Sequence, residues 1–322
     1  MTKNDYLKAR YELSKYIRDF FDKRSYIEVD TPVLVRTPGT EVHLDYFESK
    51  WVDIHSKSHK MFLRSSPELQ LKQVLSSGID RVFHLAKCFR NHGELSSWHH
   101  PEFMMLEWYE VGCGYEAFMD MTEELIRGAF SLFSKRELGP VERISVFEAF
   151  REFVGIELID QDPDLAKKAR AMGNISCRED DDFETAFFKL MLDYVEPALC
   201  KKSACILYDY PASQAALAKV ENNRAKRFEF YIDGIELSNA FFELTSYEEN
   251  KSRIEESQTK RAELHKQEVF VDKEFLTAIK SGIPDCSGNA LGFDRLLALC
   301  LALPGIKAVV PFASMEPYSI ET

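Results

Sequence analysis

Two stretches with the alternation of β-strands, Val82–Arg90 and Phe103–Tyr109, stand on either side of a polar segment, Asn91–His100. That arrangement predicts a hairpin whose long loop presents side chains at its tip. Further strands are expected at 204–209, 227–232 and 235–243, and helices at 5–24, 67–77, 115–135 and 247–265. A glycine-punctuated strand runs into an apolar helix over 288–303. The order helix, strands, helices, strands favours an α+β fold with a largely antiparallel sheet flanked by helices. Residues 1–322 are read as a single domain with a helical insertion at about 157–200.

Helix 5–24 rests on Leu7, Leu13, Tyr16, Ile17, Phe20 and Phe21 at helical spacing, broken by Arg24-Ser25. Tyr26 to Val29 alternates like a strand and enters Asp30-Thr31-Pro32, while Pro67 suits the first turn of the second helix. The insertion is acidic, with Asp160, Asp162, Asp164 and Glu179 to Asp182. Carboxylates at a helix start complement its dipole, so a solvated helix end and an acidic metal site are the two readings of that run. A chain that is 45% apolar and 12% aromatic has the material for a large core and is not disordered throughout. It has no run near the roughly 18 apolar residues of a membrane span, and no apolar leader follows Met1. A net charge of −12 argues against a protein that coats nucleic acid. The seven cysteines lack CxxC spacing and read as free thiols of a cytoplasmic protein.

No P-loop, dinucleotide fingerprint, G-x-S-x-G or H-E-x-x-H string is present. A phosphate site in this chain would have to be assembled from separate arginines and carboxylates. The candidates are Arg90 with Asn91, the return His99-His100-Pro101-Glu102-Phe103, the pair Glu229 and Glu236, and the string Gly292-Phe293-Asp294-Arg295. Glu107 stands between Leu106 and Trp108, which predicts a buried carboxylate, and a buried carboxylate calls for a cation.

Three of these strings, in this order, resemble the core of the class II aminoacyl-tRNA synthetases. Asp30-Thr31-Pro32 is similar to the end of their first motif, Phe89 to Phe103 to the second, and Gly292 to Arg295 to the third. The resemblance covers nearly the whole chain. Met105 to Tyr109 and Asn239 to Glu243 resemble lysyl-tRNA synthetases. Ser66-Pro67-Glu68, Pro211 to Ala215, Gly234 to Leu237 and Pro284 to Gly288 resemble a paralogous ligase family, which attaches lysine or (R)-β-lysine to a lysine of elongation factor P. The first motif starts within about thirty residues of Met1, so no anticodon-binding domain is expected, nor tRNA as the main partner.

The resemblance implies ATP and Mg2+ and a set of roles. Arg90 would hold the α-phosphate and the substrate carboxylate, Arg295 the γ-phosphate, and His99 the triphosphate end. Phe103 would stack on adenine against Arg295. Asn91, His92, Glu94, His100, Glu236, Leu237 and Gly292 complete the nucleotide contacts, with Glu229 and Glu236 on magnesium. Glu243 would take the side-chain ammonium of the amino acid. Glu68 and Glu107 would pair with the amino group or orient the pocket, Tyr109 would line it, Asn239 would steady the substrate, and Ser66, Pro67 and Ala290 would complete the substrate contacts. Three departures stand out: His92 replaces the usual glutamate, with Glu94 two residues on; His100 replaces an asparagine; Ser25 replaces a glycine. Ala290 in place of glycine is expected to disfavour an α-amino group and admit a β-amino acid. The first motif implies a homodimer. A synthetase-like enzyme serving another acceptor, and a non-catalytic amino-acid sensor, are the alternatives that the residues leave open.

Overall fold

The computed structural model describes residues 2–93, 96–133 and 135–312. The chain divides into two compact units, residues 1–137 with 244–322, and residues 138–243.

The first unit opens with α1 (Lys3–Asp22). Thr2 and Asp5 form a capping box at its start, satisfying amides that the helix itself leaves without acceptors. Leu13, Ile17, Phe20 and Phe21 are its buried stripe. Ser25, at φ 60°, ends it by turning the chain into β1 (Ile27–Glu28). There follow β2 (Leu34–Val35), β3 (Glu48–Val52) and β4 (Ser58–Leu63), a small antiparallel sheet in the order β2-β4-β3 that alternation did not predict. Next come α2 (Glu68–Leu75), β5 (Arg81–Phe89), β6 (Glu102–Val111) and α3 (Tyr115–Phe133).

The second unit runs β7 (Val141–Ser145), α4 (Val146–Ala149), α5 (Leu165–Ala171), α6 (Phe183–Leu190), α7 (Glu196–Leu199), β8 (Ala204–Pro211), β9 (Val220–Glu221), β10 (Arg224–Ile232) and β11 (Ile235–Phe242). The chain then returns to the first unit as α8 (Tyr247–Glu263), α9 (Lys273–Ser281), β12 (Cys286–Gly292) and α10 (Phe293–Cys300). The result is the expected α+β class, with the predicted strands and helices in their predicted order.

In the first unit, β5 and β6 form the predicted antiparallel hairpin, β12 pairs antiparallel with β6, and β1 pairs parallel with β5. One face of that sheet is an aromatic core. Phe21 of α1 stacks on Phe83 at 4.6 Å and meets Trp108 at 5.6 Å. Such ring pairs contribute about 1 kcal/mol each beyond the area they bury. In the second unit, β10 pairs antiparallel with both β11 and β8, and β7 lies parallel to β8. Its core is built on Phe150 stacked against Phe187 at 5.2 Å.

The acidic insertion falls within the second unit, and three of its carboxylates show how the run is used. Asp182 caps α6 through the Thr185 amide, Asp181 pairs with Lys189 at 2.6 Å, and Asp162 pairs with Lys168 at 2.5 Å. These contacts match the helix-start reading of the run.

Candidate active site

Strand parity assembles the first half of the site. Register pairs Cys88 with Phe103, His84 with Glu107, and Ala290 with Glu107. Side chains alternate across a strand, so residues two apart share a face. Phe103, Glu107, Tyr109 and Ala290 therefore project from one face of the sheet, and the Arg90 amide continues the ladder to the Pro101 carbonyl at 3.0 Å. Phe83 and Trp108 point to the opposite, aromatic face.

Arg90 lies over the Phe103 ring, 5.2 Å from its centroid. Its Nε is buried and has no hydrogen-bond partner among the described residues. A guanidinium N–H left in that state is costly, and an anionic ligand would satisfy it. Arg295, expected on the other side of the adenine from Phe103, donates from Nη2 to His99 Nε2 at 2.7 Å and from Nε to the Trp98 carbonyl at 3.3 Å. Arginine can only donate, so His99 Nε2 accepts and its proton sits on Nδ1, which donates to Ser96 Oγ at 2.6 Å. The two groups assigned to the triphosphate are thus in contact with each other.

Asp294, beside Arg295, has a different task. It accepts the Met104 amide at 2.7 Å and pairs with Arg10, fixing the start of α10 against β6. Gly292 is the last residue of β12.

The loop residues divide. Asn91 bridges to Asp45, and its side chain accepts the His92 amide at 3.0 Å. His92, at φ 47°, lies 3.6 Å from the Asp45 carboxylate. His100 holds its own turn through Nδ1 and the Glu102 carbonyl at 2.6 Å. Glu94 lies outside the described residues.

Around the amino-acid end, Pro67 and Ser66 precede α2, and Ser66 Oγ accepts the Glu68 amide at 3.2 Å. Glu107 is buried, as its apolar neighbours predict, and accepts the Tyr109 hydroxyl at 2.7 Å. Glu68 has an internal cation that spacing alone could have found. Lys72, one helical turn on, meets it at 2.6 Å and lies 5.8 Å from the Tyr109 ring. Sequence reasoning also missed Arg64, whose buried guanidinium bonds the Thr31 and Lys87 carbonyls at 2.8 and 2.9 Å and ties Thr31-Pro32 to β5. Beside it, burial and the Arg64 charge push the His84 imidazole down to about 4.

The second unit carries its own constellation. β10 and β11 are joined at Asp233-Gly234, both with positive φ, the demand of a tight hairpin turn. Gly234 is needed twice over, because a Cβ there would run into Cys200. Glu229 pairs with Asn239, but Tyr231 pairs with Glu236, a register shift of one residue. That bulge brings Glu236 to the face of Asn239 and Glu243, which unbroken alternation would deny it. Glu229 is already engaged: it accepts Tyr210 at 2.5 Å, Tyr231 at 2.6 Å and an arm of Arg227. Burial and the Glu229 charge hold both phenols far above their ordinary range, so they stay protonated as donors. Magnesium on Glu229 would displace one of these donors. Glu236 belongs to the same electrostatic cluster, and Mg2+ commonly needs only one or two carboxylates beside the phosphates of its nucleotide. Asn239 accepts Arg227 Nε at 3.2 Å, which leaves its amide N–H groups to donate. Leu237, Ser238 and Glu243 are buried, the last in a backbone bridge to Ala218.

An antiparallel hairpin with Arg90 at its end and Glu107 on its face, beside a strand that runs into a helix carrying Arg295, is the signature of one class of nucleotide-dependent ligase. The chain belongs to the class II tRNA synthetase family of the D, K and N type, matching it over residues 2–316. More narrowly, it is similar to proteins named elongation factor P–(R)-β-lysine ligase. One from Vibrio atlanticus (strain LGP32) is 36% identical over 312 residues, 95% of this chain and 94% of that protein. One from Avibacterium paragallinarum is 37% identical and one from Vibrio cholerae 34%, over the same shares of both chains.

Proposed function

We propose that this chain is an ATP-dependent, AMP-forming ligase that activates lysine or (R)-β-lysine and transfers it to a lysine side chain of elongation factor P. The supporting observation is the parity face: Arg90, Phe103, Glu107, Tyr109 and Ala290 project together, with a buried Arg90 N–H lacking a partner among the described residues. The names of the relatives support the substrate and acceptor.

In the first step, a carboxylate oxygen of the amino acid attacks the α-phosphorus of ATP. The bond to the bridging oxygen breaks and pyrophosphate leaves. Both reactants are anions, so the barrier is largely electrostatic and fixed cations lower it. Arg90 is the residue proposed to hold substrate carboxylate and α-phosphate, and Arg295, on its neutral His99, the γ-phosphate. Glu236, with Glu229, would hold a magnesium ion, which would neutralise charge on the phosphates of ATP. No general base is needed, because the attacking carboxylate is already ionised. In the second step, a lysine amine of the acceptor attacks the acyl carbon. The acyl–phosphate bond breaks, AMP departs with the electron pair, and the amine's proton passes to solvent.

Glu243 is the residue proposed for the distal ammonium and Asn239 the one proposed to steady the substrate; Ser66, Pro67, Glu68, Glu107 and Tyr109 are the proposed amino-acid contacts of the first unit. Ala290 faces Glu107 across the ladder, where its methyl can favour a β-amino acid. Cytoplasmic location fits seven free cysteines, and among the described residues no helix is long and apolar enough to cross a membrane. A homodimer fits the exposed apolar residues Ile27, in the first motif, and Val33 and Leu34 just after it. The test is ATP–pyrophosphate exchange with a panel of amino acids. Exchange with lysine isomers and not with aspartate or asparagine supports the proposal; exchange with none overturns it.

A further inference from the structure

One partly buried carboxylate of the first unit has no role in the account above. Glu41 follows Pro38-Gly39-Thr40, and its side chain folds back over that turn. Its carboxylate meets the Tyr46 hydroxyl at 3.2 Å, and a Cβ on Gly39 would collide with it and with Ser65. The turn thus packs against that carboxylate, and a side chain at position 39 would make the Glu41 and Ser65 side chains shift.

The loop is also gripped from below. The buried Arg261 of α8 donates to the carbonyls of Glu41, Val42 and Leu44 at 2.8, 3.2 and 2.7 Å, and to that of Gln267 at 3.0 Å. Three of those backbone acceptors fix the path of the Glu41 loop, which lacks regular structure there, and the fourth ties the guanidinium to the segment after α8. The charged groups acting most strongly on Glu41 are Glu68 and Arg90. Burial and the Glu68 charge raise its carboxyl above the ordinary value, and Arg90 only partly offsets them. The two acids differ in their compensation: Glu68 holds Lys72 at 2.6 Å, whereas the Glu41 carboxylate is hydrogen-bonded to a hydroxyl.

A carboxylate in that setting is stabilised by a cation brought from outside. If Arg90 holds the substrate carboxylate, the amine nearest that carboxylate must lie within a few bond lengths of the same guanidinium. We infer that Glu41 is a specificity-determining residue that receives the substrate amine nearest the reacting carboxyl, with Arg261 as the positioning residue that holds its loop. This inference rests on the activation of a diamino acid proposed above.

The experiment measures ATP–pyrophosphate exchange by the wild-type chain, Glu41→Gln and Glu41→Asp, with KM determined separately for (R)-β-lysine and for ATP. Glu41→Gln is expected to raise KM for (R)-β-lysine roughly 10- to 100-fold, the range for a lost charged hydrogen bond, and to leave KM for ATP within about twofold. Glu41→Asp should fall between the two. An unchanged KM for (R)-β-lysine, or a parallel rise for ATP, overturns the inference. Should Glu41→Gln fail to fold, the same comparison on Glu41→Asp decides. A wild-type chain that activates no lysine isomer overturns the proposed function and this inference together; one that is active but insensitive at position 41 overturns the inference alone.

Discussion

Removing the ammonium of Lys72 should destabilise the first unit through the carboxylate it leaves behind. The Lys72 side chain is 5% exposed and that of Glu68 18%, with 2.6 Å between them. Taking one partner from a fully buried pair costs about 3–5 kcal/mol, because the other is left charged and dry. Glu68 keeps some contact with water, so about 2–3 kcal/mol is the expected loss for Lys72→Met, a change that preserves most of the packing volume. Urea denaturation reads this as a lower midpoint at unchanged slope. The second arm is the double variant Lys72→Met with Glu68→Gln. Neutralising the stranded carboxylate should return at least half of the loss, a coupling well above the roughly 0.5 kcal/mol error of additivity. A double variant no more stable than Lys72→Met would refute the reasoning, since the cost would then lie in packing and not in charge.

Further outcomes follow from the same contacts. Arg295→Ala should cut ATP–pyrophosphate exchange by roughly 100-fold or more while leaving the circular dichroism spectrum unaltered, as loss of a charge-stabilising donor does; full activity would remove Arg295 from the nucleotide site. Tyr210→Phe and Tyr231→Phe each take a donor from buried Glu229 and should lower stability by about 1–2 kcal/mol in urea melts; a change in neither would mean the carboxylate finds another partner. Stability should also fall as pH drops from about 6.5 to about 4, because His84 stays neutral there in the folded chain and takes a proton in the unfolded one. His84→Gln should shrink the difference between melts at the two ends of that window, and an equal drop in the variant would assign it elsewhere.

Much of the functional face was legible because β-structure writes itself at a period of two. The runs Val82–Arg90 and Phe103–Tyr109 carry site residues on one parity and core aromatics on the other, and β5 and β6 pair accordingly. Glu68 at the start of a helix with Lys72 a turn later was equally open to inspection. The sheet of β2, β3 and β4 was not, because β3 is exposed along nearly its whole length and offers no alternation. The bulge that turns Glu236 toward Asn239 is a one-residue shift with no mark in composition. The cluster around Glu229 joins Tyr210, Arg227 and Tyr231 through pairing of β8 with β10, and only tertiary structure supplies that register. Glu41 is a single acid after a Pro-Gly turn, and the arginine that binds its carbonyl, Arg261, is 220 residues away.

The most direct trial of the whole account is intact-mass analysis of elongation factor P after incubation with this chain, magnesium, ATP and each lysine isomer in turn. The account predicts that the acceptor gains the mass of one lysyl group, that AMP is released in equal amount, and that Arg90→Ala abolishes both. An acceptor of unchanged mass with every isomer, alongside a folded chain, would contradict it.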